Sequence, residues 1–183
     1  FATKEEVSMQ IEILDFVAGA RAARGVAVII DVFRAFSVAC YAYAGGVQRI
    51  IPVGEIEVAR RLRQSGPGVL AIGERHARKL EGFDFGNSPT EIEAADLAGK
   101  TLVDTSHVGT QVLVDASGAD IVLTGALVNA AAICRYIRNL DPQHVSIVRM
   151  GREATERSDE DDLCAELLAA RLRDQPYDTN TVR

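Results

Sequence analysis

The chain has 183 residues and a formal net charge of −6, from 20 Lys and Arg against 26 Asp and Glu. Its 48% hydrophobic residues are enough for a sizeable core, which excludes a disordered chain as an overall description. The acidic balance excludes nucleic acid as the main partner, because such binding needs a dense basic face, and no apolar run approaches the roughly 18 residues that span a bilayer. We therefore expect one globular domain over residues 1–183, with neither nucleic acid nor a membrane as partner.

Short β-branched runs alternate with segments of helical spacing along the chain. The runs that predict strands are Met9–Leu14, Val26–Ile30, Arg49–Val53, Val69–Ile72, Thr101–Val103, Asp120–Leu123 and Val145–Met150. Helices are predicted over Glu55–Gln64, Leu127–Leu140 and Glu160–Arg173. The run Val26–Ile30 is apolar throughout, as a strand buried on both faces of a parallel sheet requires. The alternation predicts an α/β fold, a three-layer sandwich with a largely parallel sheet.

The longest irregular stretch runs from Gly73 to Glu91 and is rich in charged residues. A polar loop of that length within a compact domain is either functional or disordered. Its centre reads Gly-Phe-Asp-Phe-Gly, and aromatic residues between glycines favour an ordered, packed loop.

Residues that follow the predicted strands are the candidates for a site, because ligands of parallel α/β sheets bind outside the carboxyl ends of the strands. They are Asp31 with Arg34, Glu74 with Arg75, Asp104 to His107, Thr124 with Asn129, and the acidic run Asp159 to Asp162. Carboxylates and guanidiniums that meet at one edge suit a phosphate or carboxylate ligand together with a divalent cation.

Several of these residues are equally consistent with ordinary structural roles. Asp31 and Thr124 fit helix N-caps, and Ser158 to Asp161 fit a capping box with acidic residues favoured by the helix dipole. We expect Asp162 to be the solvated member of the acidic run.

The cysteines Cys40, Cys134 and Cys164 lie far apart and form no C-x-x-C pair. This spacing excludes a disulfide framework and a zinc knuckle, and makes a reducing cytoplasm the expected location. None of the three has an arginine six positions later, which excludes a cysteine phosphatase.

Several motifs, in one order along the chain, resemble the 2-phosphosulfolactate phosphatase family. They are Asp31 to Ser37 (D-V-F-R-A-F-S), Gly73-Glu74-Arg75, Gly82 to Pro89 (G-F-D-F-G-N-S-P), Gly109-Thr110, Asn129, and Glu160-Asp161 with Cys164-Ala165. Their order and spacing agree from about Val26 to Ala165, and the G-F-D-x-G-N-S-P run is the most specific. The resemblance implies a Mg²⁺-dependent phosphomonoester hydrolase that converts 2-phosphosulfolactate to sulfolactate on the route to coenzyme M.

The sequence departs from the family pattern in two places, which indicates a divergent branch. Phe33 and Phe36 stand in an opening of the type D-V-L-R-A-T-S, and Ser106-His107-Val108 replaces the centre of a T-T-N-G-T-like segment. Family members also extend beyond the position of Arg183, so we expect part of the family's domain to be absent here.

The resemblance and the residues at the strand ends together suggest roles for individual side chains. Asp31, Glu74 and Asp161 would hold Mg²⁺, and Arg34 and Arg75 would clamp the anionic substrate. Further contacts with the small phosphate ester are expected from Asn87, Ser88, Thr105, His107, Gly109, Thr110 and Asn129. Asp84 and His107 are the candidate bases for an attacking water.

One alternative from a different class stays open at this point: a non-catalytic protein that binds small anions in the same pocket. The altered segment from Thr105 to Val108 is its support. For either function we expect a homodimer, because two-fold dimers are the commonest oligomers.

Overall fold

The computed structural model describes residues 9–75, 78–105, 112–113 and 115–177. The strands are β1 (Gln10–Asp15), β2 (Val26–Ile30), β3 (Arg49–Pro52), β4 (Val69–Ile72), β5 (Glu74–Arg75), β6 (Arg78–Lys79), β7 (Thr101–Asp104), β8 (Ile121–Gly125) and β9 (His144–Arg149). The helices are α1 (Phe16–Ala22), α2 (Ala35–Ala44), α3 (Ile56–Arg63), α4 (Pro89–Glu93), α5 (Ala130–Leu140) and α6 (Asp159–Leu172). The predicted alternation of strands and helices is confirmed.

The parallel strands divide into two sheets. A four-stranded sheet has the order β1-β9-β2-β8, and a three-stranded sheet has the order β3-β7-β4. All neighbours within these two sheets are parallel, whereas β5 and β6 form a short antiparallel pair. The largely parallel α/β fold expected from the sequence is therefore confirmed, with two parallel sheets.

Helices cover both faces of the four-stranded sheet. All five residues of β2 are buried, and successive side chains point to opposite faces. Val28 packs in a core with α5 and α6, while Ile29 packs in a second core with α1 and the first turn of α2. Burial on both faces is the reason that this strand is apolar at every position, and it produces three layers.

The three-stranded sheet is also packed on both faces, and it shares α2 with the larger sheet. Ala59 of α3 packs with Ala71 and Val103 on one face. On the other face, Val38 of α2 lies in a core that includes Leu102 and residues around α4. Helix α2 thus contributes its first turn to one sheet and its later turns to the other.

The stretch from Gly73 to Glu91, expected to be a long ordered loop, contains β5, β6 and the start of α4. Gly73 is closely packed, since a Cβ atom there would lie 2.7 Å from Cγ2 of Thr105. Phe83 is buried between α3 and the three-stranded sheet. These contacts account for the order of the described part of this stretch. Among the described residues, no helix is long and apolar enough to cross a bilayer.

Candidate active site

The candidate site lies where the carboxyl ends of the two parallel sheets meet. Asp31 and Arg34 follow β2 of the larger sheet, whereas Glu74 follows β4 and Asp104 ends β7 of the smaller sheet. Nη2 of Arg34 donates to Oε2 of Glu74 over 2.7 Å, and the charge of Asp104 acts on Asp31. Loops from both sheets therefore bring charged side chains to one place.

Asp31, Asp104, Glu160 and Asp161 make up a carboxylate cluster. Burial, followed by the negative charge of Asp161, raises the pKa of Asp31 from 3.8 to about 7, and the other two carboxylates add to the effect. A weak hydrogen bond that the Ala35 N–H donates to Oδ1 of Asp31 over 3.3 Å opposes the shift. Asp31 thus gains and loses its proton near neutral pH, as suits acid–base chemistry or cation binding.

Asp161 is buried, with 3% of its surface exposed, and it lies in the first turn of α6. Its Oδ1 accepts the Val32 N–H and its Oδ2 accepts the Gly151 N–H, each over 2.8 Å. Burial raises the pKa of Asp161, and these two hydrogen bonds act in the opposite direction. The N-cap residue Ser158 makes no side-chain capping bond to α6, so the capping box considered from the sequence is not formed.

Arg34, Glu74, Asn87, Arg75 and Thr105 form a second group, the guanidinium group, beside the carboxylate cluster. Glu74 receives Arg34 on one oxygen and Nδ2 of Asn87 on the other, the latter over 3.5 Å. Within the described part of the chain, the bond to Glu74 is the one side-chain hydrogen bond of Arg34. A guanidinium has several N–H donors in a planar fork, so this bond orients Arg34 and leaves donors for an anion.

Arg75 is used differently from Arg34. Its Nη1 donates to the backbone carbonyls of Glu74 and Thr105 over 2.7 and 2.6 Å, and its Nη2 donates to the Thr105 hydroxyl over 3.4 Å. Thr105 is fully buried. Arg75, predicted to clamp the substrate, therefore joins β5 to the end of β7.

Asp84, predicted as a candidate base, contacts residues outside the carboxylate cluster and the guanidinium group. Its oxygens accept Nε and Nη2 of Arg63 over 2.6 and 2.9 Å, and Oδ2 also accepts the Ala71 N–H over 2.8 Å. These contacts fasten the loop to α3 and β4. Among the described residues, the hydrogen bonds of the Asp84 carboxylate involve neither Asp31 nor Arg34.

The remaining predicted substrate contacts fall into three cases. Asn87 is buried and reaches Glu74, whereas Ser88 is the N-cap residue of α4. Asn129 closes the turn after β8, since its Nδ2 donates to the Thr124 carbonyl and its Oδ1 accepts the Ala126 N–H, both over 2.9 Å. His107, Gly109 and Thr110 lie outside the described residues.

The predicted metal ligands Asp31, Glu74 and Asp161 do not come together as one three-carboxylate site. No group of three or more His, Cys, Asp or Glu side chains in the described ranges is arranged to hold a metal ion. The reason is that Arg34 and Asn87 engage Glu74, while backbone N–H groups engage Asp161. Mg²⁺ uses one or two carboxylates with water and phosphate oxygens, so the chemistry of the carboxylate cluster around Asp31 fits that ion.

Sequence reasoning missed an ion-pair network at the ends of β1 and β9. Asp162, expected to be solvated, contacts Arg149 over 3.1 Å and Arg157 over 2.6 Å, and Arg149 also contacts Asp15 over 2.8 Å. The expectation for Asp162 is wrong because Arg149, which lies opposite Asp15 in the paired strands, also contacts Asp162. Only the pairing of β1 with β9 reveals that neighbourhood.

Comparison with known proteins gives a consistent family match. The model of the 2-phosphosulpholactate phosphatase family matches residues 13–182. A probable 2-phosphosulfolactate phosphatase of Clostridium perfringens (strain SM101 / Type A) is 35% identical over 151 residues, covering 80% of this chain and 60% of that protein. A protein of the same name from Caldicellulosiruptor saccharolyticus is 40% identical over 145 residues, covering 76% and 59%. The match thus spans about three-fifths of the length of these relatives.

Proposed function

The chain belongs to the 2-phosphosulpholactate phosphatase family, and on that premise we propose that it hydrolyses a small phosphorylated hydroxy acid, in the first place 2-phosphosulfolactate to sulfolactate and phosphate. The observation that carries the proposal is the position of Arg34. It is fixed by Glu74 beside the carboxylate cluster, three residues after Asp31 on the same loop.

Arg34 is proposed to bind the phosphoryl group through the donors that Glu74 does not use. Planar guanidinium forks recognise phosphate oxygens in a bidentate manner, and phosphoryl transfer depends mainly on positioning and neutralisation of charge. Glu74 would keep the fork in place, and Asn87 would in turn hold Glu74 through a hydrogen bond to its other oxygen. The partial exposure of the Arg34 side chain, 38%, leaves it accessible to a ligand.

Asp31, with Asp104 and Glu160 beside it, is proposed to hold Mg²⁺. The mutual repulsion that contributes to the raised pKa of Asp31 is the repulsion that a divalent cation would relieve. When bound, the ion would neutralise charge on the phosphoryl group and polarise it for attack. We place Glu74 with Arg34 instead of with the ion.

The reaction balances as an addition of water across the ester. The water oxygen bonds to phosphorus and gives up a proton, the bond between phosphorus and the ester oxygen breaks, and the leaving oxygen takes up a proton. Arg34 would hold the phosphoryl oxygens throughout, so that the attacking and leaving oxygens stay in line.

The test is phosphate release from a panel of phosphorylated hydroxy acids, including 2-phosphosulfolactate and phospholactate, with Mg²⁺ and with EDTA. We expect release that depends on the metal and that is fastest with 2-phosphosulfolactate. The Arg34→Ala protein, purified in parallel, reports any contaminating phosphatase. Absence of release from every substrate would overturn the proposal, and phosphate binding without release would identify the non-catalytic alternative.

A further inference from the structure

Asp161 stands apart from the other carboxylates of the cluster because backbone groups satisfy both of its oxygens. The two N–H donors, from Val32 and Gly151, are each 2.8 Å away, and they belong to the loops that follow β2 and β9. These strands are neighbours in the four-stranded sheet, with Ile30 opposite Arg149. The carboxylate therefore connects two adjacent loops just beyond the point where the strands end.

The ladder between the two strands stops at this place. The Met150 N–H donates to the Ile30 carbonyl over 3.1 Å, and the Asp31 N–H donates away from β9, to the Gly125 carbonyl of β8 over 3.2 Å. The donors that follow, from Val32 and Gly151, are the ones that Asp161 accepts. A buried backbone N–H without an acceptor is costly, so a side chain has to replace the missing strand partner here. Asp161 does so for both loops with a single group.

The residue type fits this task. The two donors reach different oxygens of the side chain, and a carboxylate has two acceptor oxygens whereas an amide has one. Gly151 has a positive φ of 59°, and a Cβ atom there would lie 2.0 Å from the Glu156 carbonyl oxygen. A close turn thus fixes the Gly151 N–H, and the Arg152 N–H closes that turn on the same Glu156 carbonyl over 2.7 Å.

We propose that Asp161 is a positioning residue, which holds the loop that carries Asp31 and Arg34 against the loop that begins at Gly151, and that it does not bind the metal. The inference rests on the proposed phosphatase function for its effect on turnover. The effect on the two loops does not depend on that function. Arg34 has a separate anchor in Glu74, so the loss of Asp161 should displace Asp31 more than it displaces the anion clamp.

The variant for the test is Asp161→Asn, which keeps the size of the side chain and places an amide N–H group against one of the two donors. Asp159→Asn is the matched control, because Asp159 is exposed and lies two residues earlier in the same turn of α6. Three properties are compared: phosphate release against substrate and Mg²⁺ concentration, thermal stability, and hydrogen exchange of backbone amides in EDTA.

We expect Asp161→Asn to lower kcat by about 10- to 100-fold, while KM changes by less than about 3-fold. The half-saturating Mg²⁺ concentration should rise only together with faster exchange at the two loops, because the variant displaces Asp31. Hydrogen exchange should become faster at Val32 and Gly151 and stay unchanged in β2 and β9. The control should match the wild type in all of these properties.

Two results would overturn the inference. A rise of about 10-fold or more in the half-saturating Mg²⁺ concentration, with unchanged exchange at the two loops, would make Asp161 a metal ligand. Faster exchange with unchanged kcat would make it a purely structural residue. If the variant does not fold, rapid exchange of the Val32 and Gly151 amides in the wild type would also contradict the proposal. If the wild type releases no phosphate, the proposed function fails, and the exchange comparison still decides whether Asp161 connects the loops.

Discussion

Two arginine–carboxylate pairs lie near the three-stranded sheet. They are about equally exposed to solvent but differ in hydrogen-bond geometry. Arg34 and Glu74 are 38% and 23% exposed, and Arg63 and Asp84 are 37% and 20% exposed. Arg63 uses two nitrogens on both oxygens of Asp84, whereas Arg34 uses one nitrogen on one oxygen of Glu74. The bidentate pair occupies the donors on one edge of the Arg63 guanidinium. The single bond to Glu74 orients the Arg34 guanidinium and leaves donors for a ligand.

The neighbours of the two pairs differ in charge as well. Asp84 faces a guanidinium and a backbone N–H, so its charge is compensated within the protein. Asp31, close to Arg34 along the chain, faces Asp161 and two further carboxylates. Asp31 thus stands among like charges, and such a place is one where an external cation is expected.

Replacement of Arg34 tests this comparison most directly. We expect Arg34→Ala to lower kcat/KM for 2-phosphosulfolactate by about 100-fold or more, because a donor that neutralises the phosphoryl group is lost. The melting temperature should change little, since a partly exposed ion pair held by one contact contributes about 0 to 1 kcal/mol, whereas a bidentate pair contributes more. Steady-state kinetics and calorimetry provide the two measurements, and Arg63→Ala is the matched control that should lose stability while keeping activity. Equal losses of activity in both variants would remove the distinction between the pairs.

Replacement of Asp84 tests the other pair. Asp84→Ala leaves Arg63 without its partner and the Ala71 N–H without its acceptor, so we expect a loss of about 1 to 3 kcal/mol in the free energy of unfolding. Urea unfolding measures the loss. The kcat/KM of the folded protein should stay within about 3-fold of the wild type. If the Asp84→Ala protein is inactive but as stable as the wild type, the result would support the predicted role of Asp84 as a base.

The smallest expected effect is on stability, and it comes from Asp31. Its pKa is about 7 in the folded protein against an ordinary value of 3.8, so the folded state binds a proton that the unfolded state has released. The stability that this group contributes is complete below pH 3.8 and is lost as the pH rises through 7.

The asparagine side chain of the Asp31→Asn variant cannot ionise, so the variant does not lose this stability as the pH rises. We expect the variant to be more stable than the wild type at pH 8 by about 1 kcal/mol, because Asp31 is partly exposed and its surroundings relax around the charge. The advantage should shrink as the pH falls to 5. Unfolding is measured in EDTA, to keep cations out of the comparison, and an advantage that is constant between pH 5 and pH 8 would contradict the raised pKa of Asp31.

Much of the fold follows from local sequence patterns, because burial on two faces leaves a signature in each strand. The apolar run of β2 and the helical spacing of α3 and α6 predicted those elements within one or two residues of their ends. The division into two sheets could not be predicted. It depends on pairings between distant segments, such as β1 with β9, which no short pattern encodes.

The candidate site was predictable only where position along the strands decides it. Asp31 and Glu74 were singled out because Asp31 directly follows β2 and Glu74 comes two positions after the end of β4. The partners of Asp84 and Asp162 could not be predicted, because the direction of a side chain in a loop or a first helical turn depends on its tertiary contacts, with Arg63 in one case and Arg149 in the other. The role of Asp84 as a base stays a prediction. The roles assigned to His107, Gly109 and Thr110 stay predictions.

Helix α2 has a consequence for attempts to engineer this site. It starts directly after Arg34, and it packs its first turn in the core of one sheet and its later turns in the core of the other. The position of the loop that carries Asp31 and Arg34 therefore depends on the packing of both cores. If that loop were grafted onto a foreign scaffold with the four-stranded sheet alone, the residues would be transferred. The core of the three-stranded sheet, which helps to fix α2 and so orients them, would be missing.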